Sequence, residues 1–175
     1  MNIWNTKLHL NKKGFSLIEL LVVVAIIGII SAIGYPNIYK WYTKKQLRNE
    51  AYELFAFLRD AKQDSLYKNA LYKIEIDNGR DPKGTMISVW ETNNPDCNLG
   101  TYGNTYFRKM TLKNSTLTPT EKAHVFSPNG CCLNQNHIPE FILQHKNDKN
   151  NGADFGKYKI NITKATCFIN LEKDN

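Results

Sequence analysis

The sequence predicts an α+β protein, in which one long N-terminal helix precedes an antiparallel β-sheet, and two observations carry this prediction. Residues 15–33 are apolar except for Ser16, Glu19 and Ser31, and apolar positions continue at helical spacing to about residue 69. Beyond that point, short segments alternate apolar and polar residues and are separated by Asn, Gly and Pro. A change of period from 3.6 to 2 indicates a change from helix to strand.

The helix is predicted to extend from Phe15 to about Asn69. Its second half is amphipathic, because apolar residues recur three or four positions apart with charged residues between them, at Leu47, Ala51, Leu54, Phe55, Leu58, Ala61 and Leu66. A helix of this kind packs one face on a globular domain. Pro36 removes a backbone donor inside the helix, so we expect a kink there.

Alternation and turn residues predict the strands of the sheet. The clearest segment runs from Tyr72 to Asp77 and is followed by an Asn-Gly turn. Further strands are expected at residues 86–90, 105–117 (one or two strands), 123–126, 139–144, 158–162 and 167–171. The stretch 145–157 is polar and rich in Gly and Asn, so we expect a loop there.

The apolar segment 15–33 would form about 28 Å of helix, close to the roughly 30 Å hydrocarbon core of a bilayer. A cleaved secretory signal, a membrane anchor and a buried core helix all compete as interpretations. The segment is long for a signal, and the carboxylate of Glu19 is out of place in a signal or a plain anchor. A core helix of a soluble protein is rarely apolar on every face.

The residues around Gly14 favour a fourth interpretation. The segment Lys13-Gly14-Phe15-Ser16-Leu17-Ile18-Glu19 resembles the processing motif of type IV prepilins and type II secretion pseudopilins. By that resemblance, a prepilin peptidase cuts after Gly14 and methylates the new amine of Phe15. Gly28 and Pro36 lie where this family places residues that weaken the helix. The resemblance implies a leader at 1–14, a hydrophobic helix for membrane and filament core at 15–42, and a globular pilin domain at 43–175.

The resemblance also gives Glu19 a role. An ionised carboxylate within a bilayer costs roughly 2.5–3.5 kcal/mol on insertion scales, which favours a partner of opposite charge. The amine of Phe15 that cleavage frees is such a partner, in the same chain or in a neighbouring subunit. In a filament of packed helices this pair would neutralise both charges and fix the axial register, as buried polar groups do in coiled coils. The alternatives are that Glu19 reaches the membrane interface or is protonated.

The net charge is +7, and it falls to +4 without Lys7, Lys12 and Lys13 of the leader, because 20 basic residues then face 16 acidic ones. This mild excess does not by itself indicate nucleic-acid binding. In the sheet region, Lys109, Lys113, Lys157, Lys159 and Lys164 occur with aromatic residues among them and are candidate DNA contacts. A solvated surface with alternating lysines is the simpler interpretation.

Four cysteines, Cys97, Cys131, Cys132 and Cys167, all follow the apolar segment. An even number beyond a membrane segment favours disulfides in an oxidising compartment, and four reduced buried thiols are the alternative. The adjacent pair is expected to bond to distant cysteines rather than within itself, and three connectivities exist for four cysteines. We therefore expect a single-pass inner-membrane protein with a cytoplasmic N-terminus and a periplasmic C-terminal domain.

The sequence contains no GxSxG, P-loop or HExxH motif, so we expect neither enzymatic activity nor a cofactor. His124 and His137 could approach Cys131 and Cys132, but one adjacent cysteine pair and two distant histidines are a weak signal for a metal or redox centre. No metal site is predicted.

A narrower resemblance concerns residues 58–68 and 125–130, which are similar to GspH/FimT minor pilins. The C-terminal segment 166–171 departs from the Gly-Arg segment that some FimT-like pilins use in DNA binding. The sequence thus predicts a minor pilin or pseudopilin, assembled with other pilins by an inner-membrane platform into a type IV pilus or a type II secretion pseudopilus. The alternatives are a DNA-binding or adhesive tip pilin and a membrane-anchored enzyme or sensor.

Overall fold

The computed structural model describes residues 14–77, 84–92, 105–119, 123–132, 140–148, 155–163 and 166–174. In these stretches one helix, α1 (Leu17–Lys68), is followed by nine strands. They are β1 (Leu71–Asp77), β2 (Thr85–Thr92), β3 (Thr105–Leu112), β4 (Ser115–Pro119), β5 (Ala123–Ser127), β6 (Gly130–Cys132), β7 (Glu140–His145), β8 (Lys157–Ile162) and β9 (Ile169–Asp174). The chain divides into two compact units, Met1–Tyr39 and Lys40–Asn175.

In the second unit, α1 packs one face against the strands. Leu47, Ala51, Leu54, Leu58 and Ala61 are at most 1% exposed. Their intervals of four and three residues keep them on one side of the helix. They share a core with Tyr72, Ile74, Ile87, Val89, Leu112, Leu117, Phe126, Phe141, Leu143, Ile160 and Ile162. The predicted long helix packed on antiparallel strands is therefore confirmed.

The first sheet has five antiparallel strands in the order β3-β2-β1-β5-β6. β1 is its central strand, and Ile74 lies opposite Val89 of β2 and His124 of β5. β5 and β6 form a hairpin in which Ser127 pairs with Gly130 across a turn at Pro128 and Asn129. The three residues of β6 are too few to be recognised from an alternating pattern, so this strand is not predicted.

The second sheet has four antiparallel strands in the order β4-β7-β8-β9. Leu143 of β7 lies opposite Leu117 of β4 and Tyr158 of β8. The sequence predicts antiparallel strands but one sheet, whereas the described strands form two. The division arises because β4 pairs with β7 rather than with β3, which precedes it in the chain.

The turn between β3 and β4 is where the chain changes sheets, and Glu50 of α1 holds it. Glu50 Oε1 accepts hydrogen bonds from the backbone N–H groups of Lys113 (3.2 Å) and Asn114 (2.9 Å) and from Asn114 Nδ2 (3.1 Å). Lys146, next to the end of β7, donates its backbone N–H to Asn114 O at 2.9 Å and its Nζ to Lys113 O at 2.6 Å. We call these bonds the Glu50 link, because they join the helix, the turn and the second sheet.

The last strand begins two residues later than the sequence predicts. Cys167 has a φ of 52°, in the left-handed region, and its N–H donates to Thr163 O at 2.9 Å. This tight loop delays the extended backbone until Ile169. Lys62 of α1 anchors the loop by donating to the carbonyls of Thr166 (3.0 Å) and Cys167 (2.8 Å). The predicted Asn-Gly turn after Asp77 lies outside the described residues.

Candidate assembly site

The helix α1 begins at Leu17, two residues after Phe15, the first residue beyond the predicted cleavage point. The carbonyl of Ser16 accepts hydrogen bonds from the N–H groups of Glu19 (3.1 Å) and Leu20 (3.2 Å), which makes Ser16 the N-cap and Glu19 the third helical residue. Ser-x-x-Glu at these positions is the spacing of a capping box, and a carboxylate in the first turn interacts favourably with the helix dipole. The sequence Ser-Leu-Ile-Glu at residues 16–19 contains this signal, which places the helix start two residues later than the predicted start at Phe15.

Apolar side chains of the first unit are exposed on all sides of the helix. None of the most apolar 18-residue stretch of α1 is buried, and by length and composition this helix could cross a membrane. Exposed apolar surface costs roughly 25 cal/mol per Å² in water, so this segment requires lipid or protein around it. The exposed side chains are Phe15, Leu17, Ile18, Leu20, Leu21, Val22, Val23, Val24, Ile26, Ile27, Ile29, Ile30, Ile33, Tyr35 and Ile38.

Glu19 is the one acidic side chain of this apolar segment. Its carboxylate is exposed and forms no hydrogen bond or ion pair with any residue that the structure describes. Phe15, whose amine cleavage would free, precedes the helix and is 81% exposed. Both groups of the predicted pair are therefore accessible to a second subunit.

The predicted helix-weakening residues both lie inside α1. The helix continues through Gly28 and Pro36 without interruption. A Cβ atom added at Gly28 would meet nothing within 4 Å, so no contact within the described chain requires a glycine there. The kink at these two residues stays a prediction.

The candidate DNA contacts are distributed over both sheets. Lys109 lies on β3 of the first sheet, Lys113 in the turn after it, and Lys157 and Lys159 on β8 of the second sheet. Lys159 Nζ lies 3.7 Å from Glu140 Oε1 and 3.4 Å from Asp174 Oδ2, and the hydrogen bond and charge of Asp174 raise the pKa of Lys159. Lys164 lies outside the described residues. Since Lys159 is already paired with two carboxylates, it is poorly suited to a phosphate contact.

The cysteine predictions are only partly covered by the described side chains. Cys167 is 1% exposed and disulfide-bonded, and none of the described cysteines is free. The backbone of Cys131 and Cys132 forms β6, opposite Phe126 and Val125. The pairing of the four cysteines into disulfides, and the participation of Cys97, stay predictions.

The weak metal or redox signal gains no support from the described residues, in which no group of three or more His, Cys, Asp or Glu could hold a metal ion. His137 lies outside them. His124 is 3% exposed on β5, its Nε2 has no hydrogen-bond partner among the described residues, and its ring meets the Phe126 ring edge-on with 5.0 Å between the ring centres. His124 is therefore a neutral core residue.

This buried histidine predicts a loss of stability in acid. Burial lowers the pKa of His124 from 6.5 to about 4. The unfolded chain therefore takes up a proton between about pH 6.5 and pH 4 that the folded chain excludes, and the free energy of unfolding should fall by about 3 kcal/mol across this range. Stability is fully present above about pH 6.5.

His124→Phe should remove most of this pH dependence, because the phenyl ring fills the site and does not titrate. Urea unfolding of the full chain in detergent micelles, followed by tryptophan fluorescence at pH 7 and pH 4, measures the difference. A smaller dependence should persist from His145, whose pKa burial also lowers. An unchanged slope in the variant would contradict the prediction.

Comparison with known proteins gives matches in sequence and matches in fold. Residues 9–35 match the family described as the prokaryotic N-terminal methylation motif. A fimbrial protein of Pseudomonas aeruginosa is 36% identical over 78 residues, which cover 45% of this chain and 47% of that protein. The fimbrial protein EcpB of Eikenella corrodens is 49% identical over 43 residues, which cover 25% of this chain and 27% of that protein. The chain thus aligns with less than half the length of each relative.

A solved structure extends the similarity to the second unit. The crystal structure of the type IV minor pilin FimU of Pseudomonas aeruginosa matches with a TM-score of 0.54 and 20% sequence identity, covering 73% of this chain and 89% of that chain. At this identity the likeness shows the fold alone.

Proposed function

We propose that this chain, which has the N-terminal methylation motif and the fold of the type IV pilin superfamily, is a minor pilin: a structural subunit processed by prepilin peptidase and assembled into a filament. The observation that carries the proposal is the first unit. An apolar helix exposed on all sides begins at Leu17, three residues after Gly14, and contains one acidic side chain, Glu19, which has no partner among the described residues. A helix of this kind can be stable in a bilayer and again in a bundle of identical helices, because both exclude water.

The proposed sequence of events follows from the chemistry of this end. Prepilin peptidase cuts after Gly14 on the cytoplasmic side of the inner membrane, and the amine of Phe15 is methylated. The retained helix holds the subunit in the membrane with the second unit in the periplasm. An inner-membrane assembly platform then transfers the subunit to the filament, where Glu19 meets the Phe15 amine of a neighbouring pilin.

A type IV pilus is favoured over a type II secretion pseudopilus. Two curated relatives are named fimbrial proteins, and one of the similar solved structures is named a type IV minor pilin. We propose a structural role without catalysis or cofactor, because the sequence has no GxSxG, P-loop or HExxH motif and the exposed apolar helix is suited to packing in a filament. Deletion of the gene, followed by assays of piliation and of protein secretion, distinguishes the two systems.

Processing provides the direct test. In sheared filaments from cells that produce the full chain, mass spectrometry should find an N-terminal peptide that begins at Phe15 and carries a methylated amine. In the matched variant Gly14→Leu, the chain should keep Met1, remain in the membrane fraction and be absent from filaments. A wild-type chain that keeps residues 1–14, or one that never enters filaments, would refute the proposal.

A further inference from the structure

His145 is the last residue of β7, and the chain turns directly after it. Every second residue of β7 is buried, so the side chain of His145 lies on the same core face of the sheet as Phe141 and Leu143 and is only 6% exposed. Ser115 of β4 lies opposite it. A titratable group at this position is surrounded by protein rather than by water.

The imidazole of His145 accepts a hydrogen bond that only its neutral form can accept. The backbone N–H of Asn147 donates to His145 Nδ1 at 3.2 Å. Because a backbone N–H group can act only as a donor, Nδ1 carries no proton, and the proton of the neutral ring lies on Nε2. Protonation places a second N–H group at Nδ1, facing that of Asn147. The bond is then lost.

The turn that this bond closes is attached to the rest of the second unit on both sides. Lys146 donates its backbone N–H to Asn114 O, as part of the Glu50 link. Asp148 Oδ1 accepts the N–H of Phe155 at 3.2 Å. Opening of the turn would therefore loosen the connection between the Glu50 link and Phe155.

The same histidine contacts the wall of a groove of about 1050 Å³ in the second unit. Phe155 and Gly156 line this groove on one side, and α1 lines it on the other with Lys45 and Arg48 among its residues. The ring of Phe155 meets the ring of His145 edge-on, with 5.4 Å between the ring centres. A movement of the His145 ring would therefore change the packing of this wall.

A second acceptor for the His145 ring lies on α1. Glu50 Oε2 is buried and has no hydrogen-bond partner among the described residues, whereas Oε1 accepts the bonds of the Glu50 link. Burial lowers the pKa of His145, the charges of Glu50 and Asp148 raise it, and the charge of Lys146 lowers it. The ring is thus neutral at pH 7, and once protonated it is attracted to the carboxylate of Glu50.

We propose that His145 is a pH-sensitive latch in the second unit. The neutral ring accepts the N–H of Asn147 and closes the turn, whereas the protonated ring releases Asn147 and donates to Glu50 Oε2 instead. Acid therefore opens the turn and loosens the adjoining wall of the groove. Since all of these residues lie in the second unit, the latch does not require the proposed pilin function.

Hydrogen–deuterium exchange of the full chain in detergent micelles tests the latch, with fragmentation in the mass spectrometer to resolve single amides. After correction for the intrinsic exchange rate, protection of the Asn147 N–H should fall by about tenfold for each pH unit between pH 6.5 and pH 5, because opening takes up one proton. The N–H of Cys167, which donates to Thr163 O in a different turn, is the internal control and should lose less protection.

Two variants of His145 have opposite expected results. In His145→Asn, the amide oxygen can replace Nδ1 as the acceptor and does not titrate, so protection of Asn147 at pH 7 should be kept and should no longer fall in acid beyond the loss at Cys167. In His145→Phe, a ring of similar shape has no acceptor, so Asn147 should be unprotected at both pH values. Glu50→Gln removes the charge that attracts the protonated ring, and protection should be lost at a lower pH than in the wild type.

Equal losses of protection at Asn147 and Cys167 in the wild type would overturn the inference, because a histidine that is merely buried lowers the stability of the whole unit in acid. The same loss at Asn147 in His145→Asn as in the wild type would overturn it too, since another group would then control the turn. If the pH of opening is the same in Glu50→Gln, the protonated ring does not bind Glu50, and the second position of the latch is wrong.

Discussion

Glu19→Ala should reduce incorporation into filaments by about 100-fold or more while leaving membrane insertion unchanged. The physical reason is that the variant leaves the amine of Phe15 without its counter-charge among packed apolar helices, and breaking a buried ion pair costs roughly 3–5 kcal/mol. Insertion is unaffected because the substitution removes a charge from an apolar segment. Immunoblots of sheared filaments and of membranes, from cells that produce each variant, measure both quantities.

The variant Glu19→Gln distinguishes a role of Glu19 in the ion pair with the Phe15 amine from a role in capping the helix. Glutamine serves as well as glutamate at the third helical position of a capping box, but it has no charge. If the Phe15 amine requires a carboxylate, this variant should fail as the alanine variant does. Normal incorporation of Glu19→Gln would mean that Glu19 acts in the capping box with Ser16. The proposed ion pair between subunits would then be wrong.

Glu50→Ala should lower the free energy of unfolding of the second unit by about 2–4 kcal/mol. Glu50 is 9% exposed and its Oε1 is the acceptor for the N–H groups of Lys113 and Asn114. Alanine leaves these donors without a partner and removes charge-assisted bonds, which are stronger than neutral ones. Urea unfolding of the full chain in micelles at pH 7 measures the change.

Two further variants give this prediction a control. Glu50→Gln keeps an acceptor oxygen and loses the charge, so it should cost less than Glu50→Ala, about 1 kcal/mol. Glu53→Ala removes the same side chain from an exposed position three residues later and should change stability by no more than about 0.5 kcal/mol. Equal losses in Glu50→Ala and Glu53→Ala would show that the Glu50 link does not stabilise the turn.

Local patterns in the sequence were sufficient to predict most of the described helix and strands, with β6 as the exception. Helical spacing predicted α1 to within two residues at its start, and alternation predicted β1, β2, β5, β7 and β8 closely, because side-chain period reflects the face that each element buries. Alternation failed at Lys73, which lies at a polar position of β1 and is nevertheless 3% exposed. Side chains on both faces of a central strand can be buried. The alternation of apolar and polar residues in that strand gives no information about what packs on its second face.

The sequence by itself determined the exposed apolar helix, its carboxylate at Glu19 and the cleavage motif at Gly14, since these features depend on residues adjacent in the chain. The tertiary structure decided that the strands divide into two sheets, that Glu50 holds the turn where they divide, and that Lys45 and Arg48 face β8 and β9 across a groove. These features join residues far apart in sequence. Such contacts are set by the packing of the whole domain, for which a local pattern carries no signal.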